Sequence, residues 1–208
     1  MTNLRFDCLP GTQVKLYNLL KNYEWIKDYY LAGGTGLALQ LVHRESGDFN
    51  FFSENEINTV KLETLINETG TFRKTYEEQD TLYGELNGIR VSFIKYAYPL
   101  IQDKIEDSNL SVAGTKDIAA MKLSAIVSRG TKKDFIDLFF LLKSFSLREM
   151  LEFYDKKFRS TGYHYTILRA LQYFDEADQD PMPKMIENVN WTGIKETISS
   201  EIKKIDLI

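Results

Sequence analysis

Cysteine is nearly missing from this 208-residue sequence: Cys8 stands alone, so no disulfide can close within the chain, which fits a reducing compartment. Histidine is almost as scarce, with His43 and His164 the whole supply. That leaves no Cys/His cluster with zinc spacing, few candidates for a Ser-His-Asp triad, and no nucleophile-elbow motif. The four prolines (Pro10, Pro99, Pro181, Pro183) form no linker, and neither a repeat nor a low-complexity run is present. The uninterrupted apolar run 138–142, and even the wider stretch 135–142 with Asp137 inside it, is far too short to span a bilayer. The opening residues, from Met1 to Asp7, carry no apolar signal core. A soluble, cytoplasmic protein with no membrane partner is the expectation. Positive charge is not in excess either: the formal net charge of −4 argues against a general nucleic-acid coat, whose affinity comes from neutralising phosphates. Local basic clusters do occur, at Arg129, Lys132 and Lys133 and at Lys156, Lys157 and Arg159, and read first as solvated helix ends.

What is abundant is aromatic and apolar: 13 Phe and 12 Tyr within 43% hydrophobic residues, enough for a sizeable core in one domain, or in one domain with a helical extension. Helical spacing of apolar residues predicts a helix over 12–23, and Tyr29-Tyr30-Leu31-Ala32 reads as a strand that stops at Gly33-Gly34. Residues 37–41 then read as a helix, 49–52 as a strand with Asp48 at its entrance, and 59–67 as a helix. Strand-like stretches follow at 71–76, 81–85 and 89–96, with Asn87-Gly88 as a strong hairpin signal between the last two. From Thr115 the pattern becomes helical, over about 118–128, 132–143, 147–158, 165–173 and 192–204, with Gly130 as a break after the first of these. The expectation is an α/β (α+β) fold: a small mixed sheet, residues 1–112, followed by a helical C-terminal region, residues 113–208, packed on it.

Chemistry concentrates at two points in the first part. Gly33-Gly34 between a strand and a helix lets backbone approach a ligand, and the first N–H groups of the helix favour a phosphate, with the Thr35 hydroxyl as a further donor. Asp48 and Asn50 are two apart on a strand and face the same way, an arrangement of oxygen ligands that suits Mg²⁺. In the helical part Lys122 and Arg129 are seven apart on one helix face. A lysine is an effective point charge for phosphate, and Asp134 lies in the first turn of the next helix. Each has a plainer reading: a tight turn at the glycines, a solvated Lys122, a helix-start role for Asp134, and a lysine partner for Asp137. Arg44 is read as a brace for Asp48, and His43 as a packed or hydrogen-bonded histidine.

The run Tyr30-Leu31-Ala32-Gly33-Gly34-Thr35-x-Leu37-Ala38-Leu39-Gln40-Leu41-x-His43-Arg44-x-Ser46-x-Asp48-x-Asn50-Phe51-Phe52 resembles the AbiEii/AbiGii family of nucleotidyltransferase-like toxins. The likeness continues in Lys122-Leu123-x-Ala125, in Lys133-Asp134-x-x-Asp137-Leu138, and from Ala170 to Trp191. The resemblance implies a nucleotidyltransferase fold with Gly33, Gly34 and Thr35 as the phosphate-binding motif and Asp48 as first metal ligand, Asn50 standing at the second. It implies Lys122 as the lysine on nucleotide phosphates and Asp134 as the acid near nucleotide or acceptor. It also implies Mg²⁺ or Mn²⁺, a nucleoside triphosphate substrate, an RNA acceptor such as tRNA, and an antitoxin encoded nearby.

Asn50 departs from that pattern, because the family has a second carboxylate there, and Asn leaves one less negative charge to hold a divalent cation. On the later strand Ser92 stands where a third acid is expected, with Arg90 on the same face and Glu85 the nearest acid. Two readings follow: an active Mg²⁺-dependent nucleotidyltransferase, or a scaffold that binds a nucleotide or a protein without turnover.

Overall fold

A computed structural model describes residues 4–205 and divides into two compact units. The first runs through Val42 and takes in Ser46–Pro99 and Asp103–Gly114; the second holds His43–Glu45, Leu100–Gln102 and the chain from Thr115 onward.

The first unit is built on a seven-stranded mixed sheet. Its strands are β1 (Tyr30–Ala32), β2 (Phe49–Ser53), β3 (Phe72–Glu78), β4 (Thr81–Leu86), β5 (Ile89–Lys95), β6 (Ile105–Asp107) and β7 (Leu110–Val112), in the order β3-β4-β5-β2-β1-β7-β6. β1 is antiparallel to β2 and parallel to β7, β2 is parallel to β5, and the outer pairs are antiparallel hairpins. Alternation places β2: Phe49, Phe51 and Ser53 are buried, while Asn50 and Phe52 lie on the other, less buried face. Phe51 stacks on Phe93 of β5 with ring centroids 5.1 Å apart, and each such ring removed from water contributes about 1.5–3 kcal/mol. The Asn87-Gly88 turn closes β4 on β5 with φ of 52° and 79°, the positive pair that a two-residue hairpin requires. Helices α1 (Gly11–Leu20), α2 (Gly33–Leu41) and α3 (Thr59–Thr69) complete this unit, with Leu16, Leu20, Leu39, Leu62 and Ile66 joining the sheet core.

The second unit is helical: α4 (Thr115–Ser128), α5 (Lys132–Leu141), α6 (Leu147–Phe158), α7 (His164–Ala170), α8 (Asp175–Gln179) and α9 (Trp191–Lys203). α4 is central, packing on α5, α6 and α7. Ser146 and Glu149 form a capping box at the start of α6, satisfying backbone donors that the helix itself cannot. Phe135, Phe174 and Trp191 meet with centroid separations of 4.9, 5.9 and 6.1 Å, which ties α5 to α9 through the Phe174 turn. His43–Glu45 runs beside residues 184–187, where Glu45 N–H donates to the Lys184 carbonyl at 2.8 Å and Ile186 N–H to that of His43 at 3.0 Å.

Several expectations shift in detail. Helix α2 begins at the glycines themselves rather than after them, since Ala32 is the extended residue before the first turn. The β6–β7 hairpin, the turn at Glu24–Asp28 and α8 have no counterpart in the sequence reading. Among the described residues no helix is long and apolar enough to cross a membrane.

Candidate nucleotide site

In the first unit, Gly33 has φ of 65° and lies beside Asn50, whose side-chain nitrogen a Cβ on Gly33 would meet at 3.4 Å. The β1–β2 register explains this: Ala32 pairs with Asn50. The helix start and the strand carrying Asp48 are further joined through Thr35. Its hydroxyl donates to the Asp48 carbonyl at 2.6 Å and pairs with Ser46 Oγ at 2.8 Å. Thr35 is fully buried, and its one O–H is committed to the backbone at Asp48. The donors left for an anion are the backbone N–H groups of the first turn of α2.

Asp48 and Asn50 share the less buried face, as their spacing predicts. The parallel register sets Asn50 opposite Ser92 and places Asp48 one residue before the Phe49–Val91 pair, beside Arg90. Arg90 Nε donates to Asp48 Oδ1 at 3.1 Å, and Ser92 Oγ to Asn50 Oδ1 at 2.8 Å. The brace at Asp48 is therefore Arg90, where Arg44 was expected. Both members of the pair are exposed, Asp48 by 49% and Arg90 by 73%, so water screens the attraction and the pair separates readily.

The donor set decides how a divalent cation would bind here. Among the described residues no group of three or more His, Cys, Asp or Glu could hold a metal. Asp48 and Asn50 offer hard oxygens on one face with a single negative charge between them. Mg²⁺ commonly takes one or two carboxylates and completes its shell with substrate phosphates and water. The residues thus fit a cation that arrives with a triphosphate and do not form a stand-alone cage.

In the second unit, the candidate residues form a buried ion cluster. Lys122 Nζ lies 2.9 Å from Asp134 Oδ1 and 2.6 Å from Asp137 Oδ2. Arg44 grips Asp137 with both nitrogens of its fork, at 2.7 and 2.8 Å, and His43 Nε2 pairs with the same carboxylate at 2.7 Å. Asp134 also accepts from Arg129 at 2.9 and 3.0 Å and from the Thr131 hydroxyl at 2.7 Å. Burial alone would raise the Asp134 carboxyl, but Lys122 and Arg129 hold it well below the usual carboxylate range. The same contest at Asp137 is won by Lys122 and Arg44, assisted by the His43 contact.

This overturns the plainer reading of Lys122 as a solvated helix residue. It is 4% exposed, and its ammonium is committed to two carboxylates, the usual condition for a buried lysine. Asp134 and Asp137 are fully buried as well. Against two carboxylates stand Lys122, Arg44 and Arg129, and only Arg129, with 62% of its side chain exposed, carries charge to the surface. Two other basic residues leave the solvated-helix-end reading. Lys157 is fully buried against Asp117 at 2.7 Å, and Asp117 also accepts the Ile101 and Gln102 N–H groups. Lys132 is buried with its Nζ on the Asp180 carbonyl.

Sequence reasoning missed the Asp117–Lys157 pair and did not assign the Arg90 contact. The signal for the first was present: Lys157 follows Phe153 and Tyr154 by one turn, on the apolar face of α6, where an unpaired charge does not persist.

A sheet of this kind, with a glycine helix start beside a carboxylate strand and a helical second half, defines a nucleotidyltransferase fold. Two solved structures share it: JHP933 from Helicobacter pylori, with TM-score 0.56 and 14% identity, covering 94% of this chain and 92% of that one, and MenT4, a nucleotidyltransferase toxin from Mycobacterium tuberculosis H37Rv, with TM-score 0.51 and 12% identity, covering 93% and 84%. Residues 88–206 match the family model of the nucleotidyl transferase AbiEii toxin of type IV toxin–antitoxin systems, and the chain belongs to that family. An uncharacterized protein of Aquifex aeolicus (strain VF5) is 36% identical over 185 residues, covering 85% of this chain and 87% of that protein. The buried cluster from Lys122 to Asp137 falls inside the residues matched to the family; the glycines and Asp48 precede them.

Proposed function

We propose that the chain transfers a nucleotidyl group from a nucleoside triphosphate to an RNA acceptor, with tRNA the acceptor to test first. In the cell it would act as the toxin of an antitoxin-controlled pair, in the cytoplasm, and give phage defence by abortive infection. The observation that carries this reading is the Thr35 bridge: one buried hydroxyl joins the glycine helix start to the Asp48 backbone, so phosphate donors and carboxylate form a single assembled edge. Gly33, Gly34 and the first N–H groups of α2 would hold the phosphates, and Asp48 with Asn50 would hold Mg²⁺ or Mn²⁺ together with them. A bound cation would supply charge neutralisation of the phosphates and a more acidic acceptor hydroxyl. Arg90, released from Asp48, would be positioned to take a phosphate oxygen. The acceptor oxygen then forms a bond to the α-phosphorus, pyrophosphate leaves, and the hydroxyl proton passes to water. Lys122 and Asp134 act in this reading as positioning residues, through the cluster that fixes Arg129.

Asn50 together with the Arg90–Asp48 pair favours a second reading, in which the edge binds nucleotide without turnover, because one carboxylate already shared with a guanidinium holds a cation weakly. The test incubates the protein with each labelled triphosphate, Mg²⁺ or Mn²⁺, and total tRNA, alongside Asp48→Ala and Asn50→Asp. Label on RNA that disappears in Asp48→Ala supports transfer. Label with Asn50→Asp alone supports the binding scaffold, and no label in any protein removes the enzyme reading.

A further inference from the structure

Residues 156–174 contain Lys156, Lys157, Arg159 and Arg169 and not one Asp or Glu, in a chain whose net charge is −4. Lys157 is turned inward onto Asp117. Lys156, Arg159 and Arg169 are exposed and make no ion pair among the described residues. The same segment exposes Tyr163 by 51% and Tyr165 by 61%, and Tyr173 by 57%. Apolar surface of that size is normally buried, and the rings of Tyr165 and Tyr173 have no aromatic partner among the described residues.

Their order along the chain makes one surface. Tyr165 and Arg169 are four apart on α7 and share a face, and Tyr173 follows four residues later in the turn after the helix. Tyr173 then borders a recess of about 240 Å³ that Ser128, Arg129 and Gly130 also line. The stripe therefore reads aromatic, cation, aromatic, cation, and it ends at the one arginine that brings charge out of the buried cluster. Acids border it too: Asp175, Glu176 and Asp178 lie in α8 directly after Phe174, with Glu176 on the recess, and Asp155 is occupied by His164 at 2.9 Å.

Exposed rings alternating with Arg169, which makes no ion pair among the described residues, and with Arg129, whose guanidinium reaches the surface from Asp134, suit an unpaired polynucleotide, whose bases stack on aromatic faces while its phosphates meet the charges. A duplex keeps its bases stacked on one another and offers the rings nothing. We infer that this face of the helical unit binds single-stranded RNA, with bases on Tyr165 and Tyr173 and phosphates on Arg169 and Arg129. The choice of RNA rests on the acceptor reading above; the binding itself requires no transfer.

The test measures fluorescence anisotropy of a labelled 12-nucleotide single-stranded RNA with the full chain at several salt concentrations, a length chosen to be about that of a single-strand site. Tyr165→Ala and Tyr173→Ala are each expected to weaken binding about ten-fold, whereas Tyr165→Phe keeps it. Arg169→Ala should lower the slope of log affinity against log salt by about one. The same RNA as a duplex should bind more weakly. Both tyrosines project from the surface, so thermal melts of their variants should match that of the wild type. Equal binding by wild type and the Tyr165→Ala/Tyr173→Ala double variant overturns the proposal, as does equal binding of the duplex. No RNA binding while nucleotide transfer to another acceptor persists also overturns it and leaves the enzyme reading standing. Tyrosine-dependent RNA binding by a protein that transfers nothing supports the surface and removes the enzyme reading.

Discussion

Asp137 lies between Ile136 and Leu138 in the middle of α5 with no exposed surface, and it faces Lys122, Arg44 and His43. Exchanging its charge for an amide removes the carboxylate that Lys122, Arg44 and His43 share in the interior, the situation in which breaking a buried pair costs about 3–5 kcal/mol. Asp137→Asn should lose about that much stability in urea unfolding at neutral pH, whereas Arg90→Ala at the exposed Asp48 pair should lose no more than about 1 kcal/mol. The pH dependence has a fixed sign. A carboxyl held below its ordinary value when folded stabilises the fold above the unfolded pKa of about 3.9, and that contribution fades as pH falls towards the depressed value. The gap between wild type and Asp137→Asn should therefore be widest near neutrality and narrow below about pH 4. A gap independent of pH would mean that the ion cluster does not carry the difference.

Among the elements, what could be read from the chain is what local chemistry determines on its own. Asn87-Gly88 is such a case, because few residue pairs tolerate two positive φ values, and the hairpin it closes is present. The β6–β7 hairpin could not be seen: each strand has three residues, too few for alternation to register, and the hairpin joins the sheet through β7, which pairs with β1. Helix α8, five residues with three acids, has no apolar period to detect. The site shows the same division. Gly33 and the shared face of Asp48 and Asn50 follow from backbone rules, while the inward turn of Lys122 depends on α5 delivering two carboxylates to it, which spacing within α4 cannot reveal. Gly33 also gives the sharpest element-level test. Its φ of 65° is the left-handed region, whereas Gly11 opens α1 with nothing within 4 Å of an added Cβ. Gly33→Ala should cost about 1–2 kcal/mol in thermal or urea unfolding and Gly11→Ala no more than about 0.5 kcal/mol. Equal costs would place the strain elsewhere than at the α2 start.

At the scale of the whole chain, the helical unit is not a continuous stretch of sequence. It takes His43–Glu45 and Leu100–Gln102 as well as the residues from Thr115 onward. Both insertions end on buried charge. His43 and Arg44 supply two of the three partners of Asp137, and the backbone N–H groups of Ile101 and Gln102 satisfy Asp117, which otherwise has Lys157 as its partner. A fragment of residues 113–208, the boundary that composition suggests, would contain every helix from α4 to α9 and lack all four of these groups. Asp137 would keep only Lys122, which it shares with Asp134, and Asp117 would lose its backbone donors. A buried carboxylate left short of partners is among the few defects that cost several kcal/mol, comparable with the whole stability of a unit of this size. The fragment should therefore show helical circular dichroism without a cooperative urea transition, while the full chain unfolds cooperatively. A fragment that melts as sharply as the full chain would mean that α4–α9 close their own core, and that His43, Arg44, Ile101 and Gln102 contribute to the site without contributing to the fold.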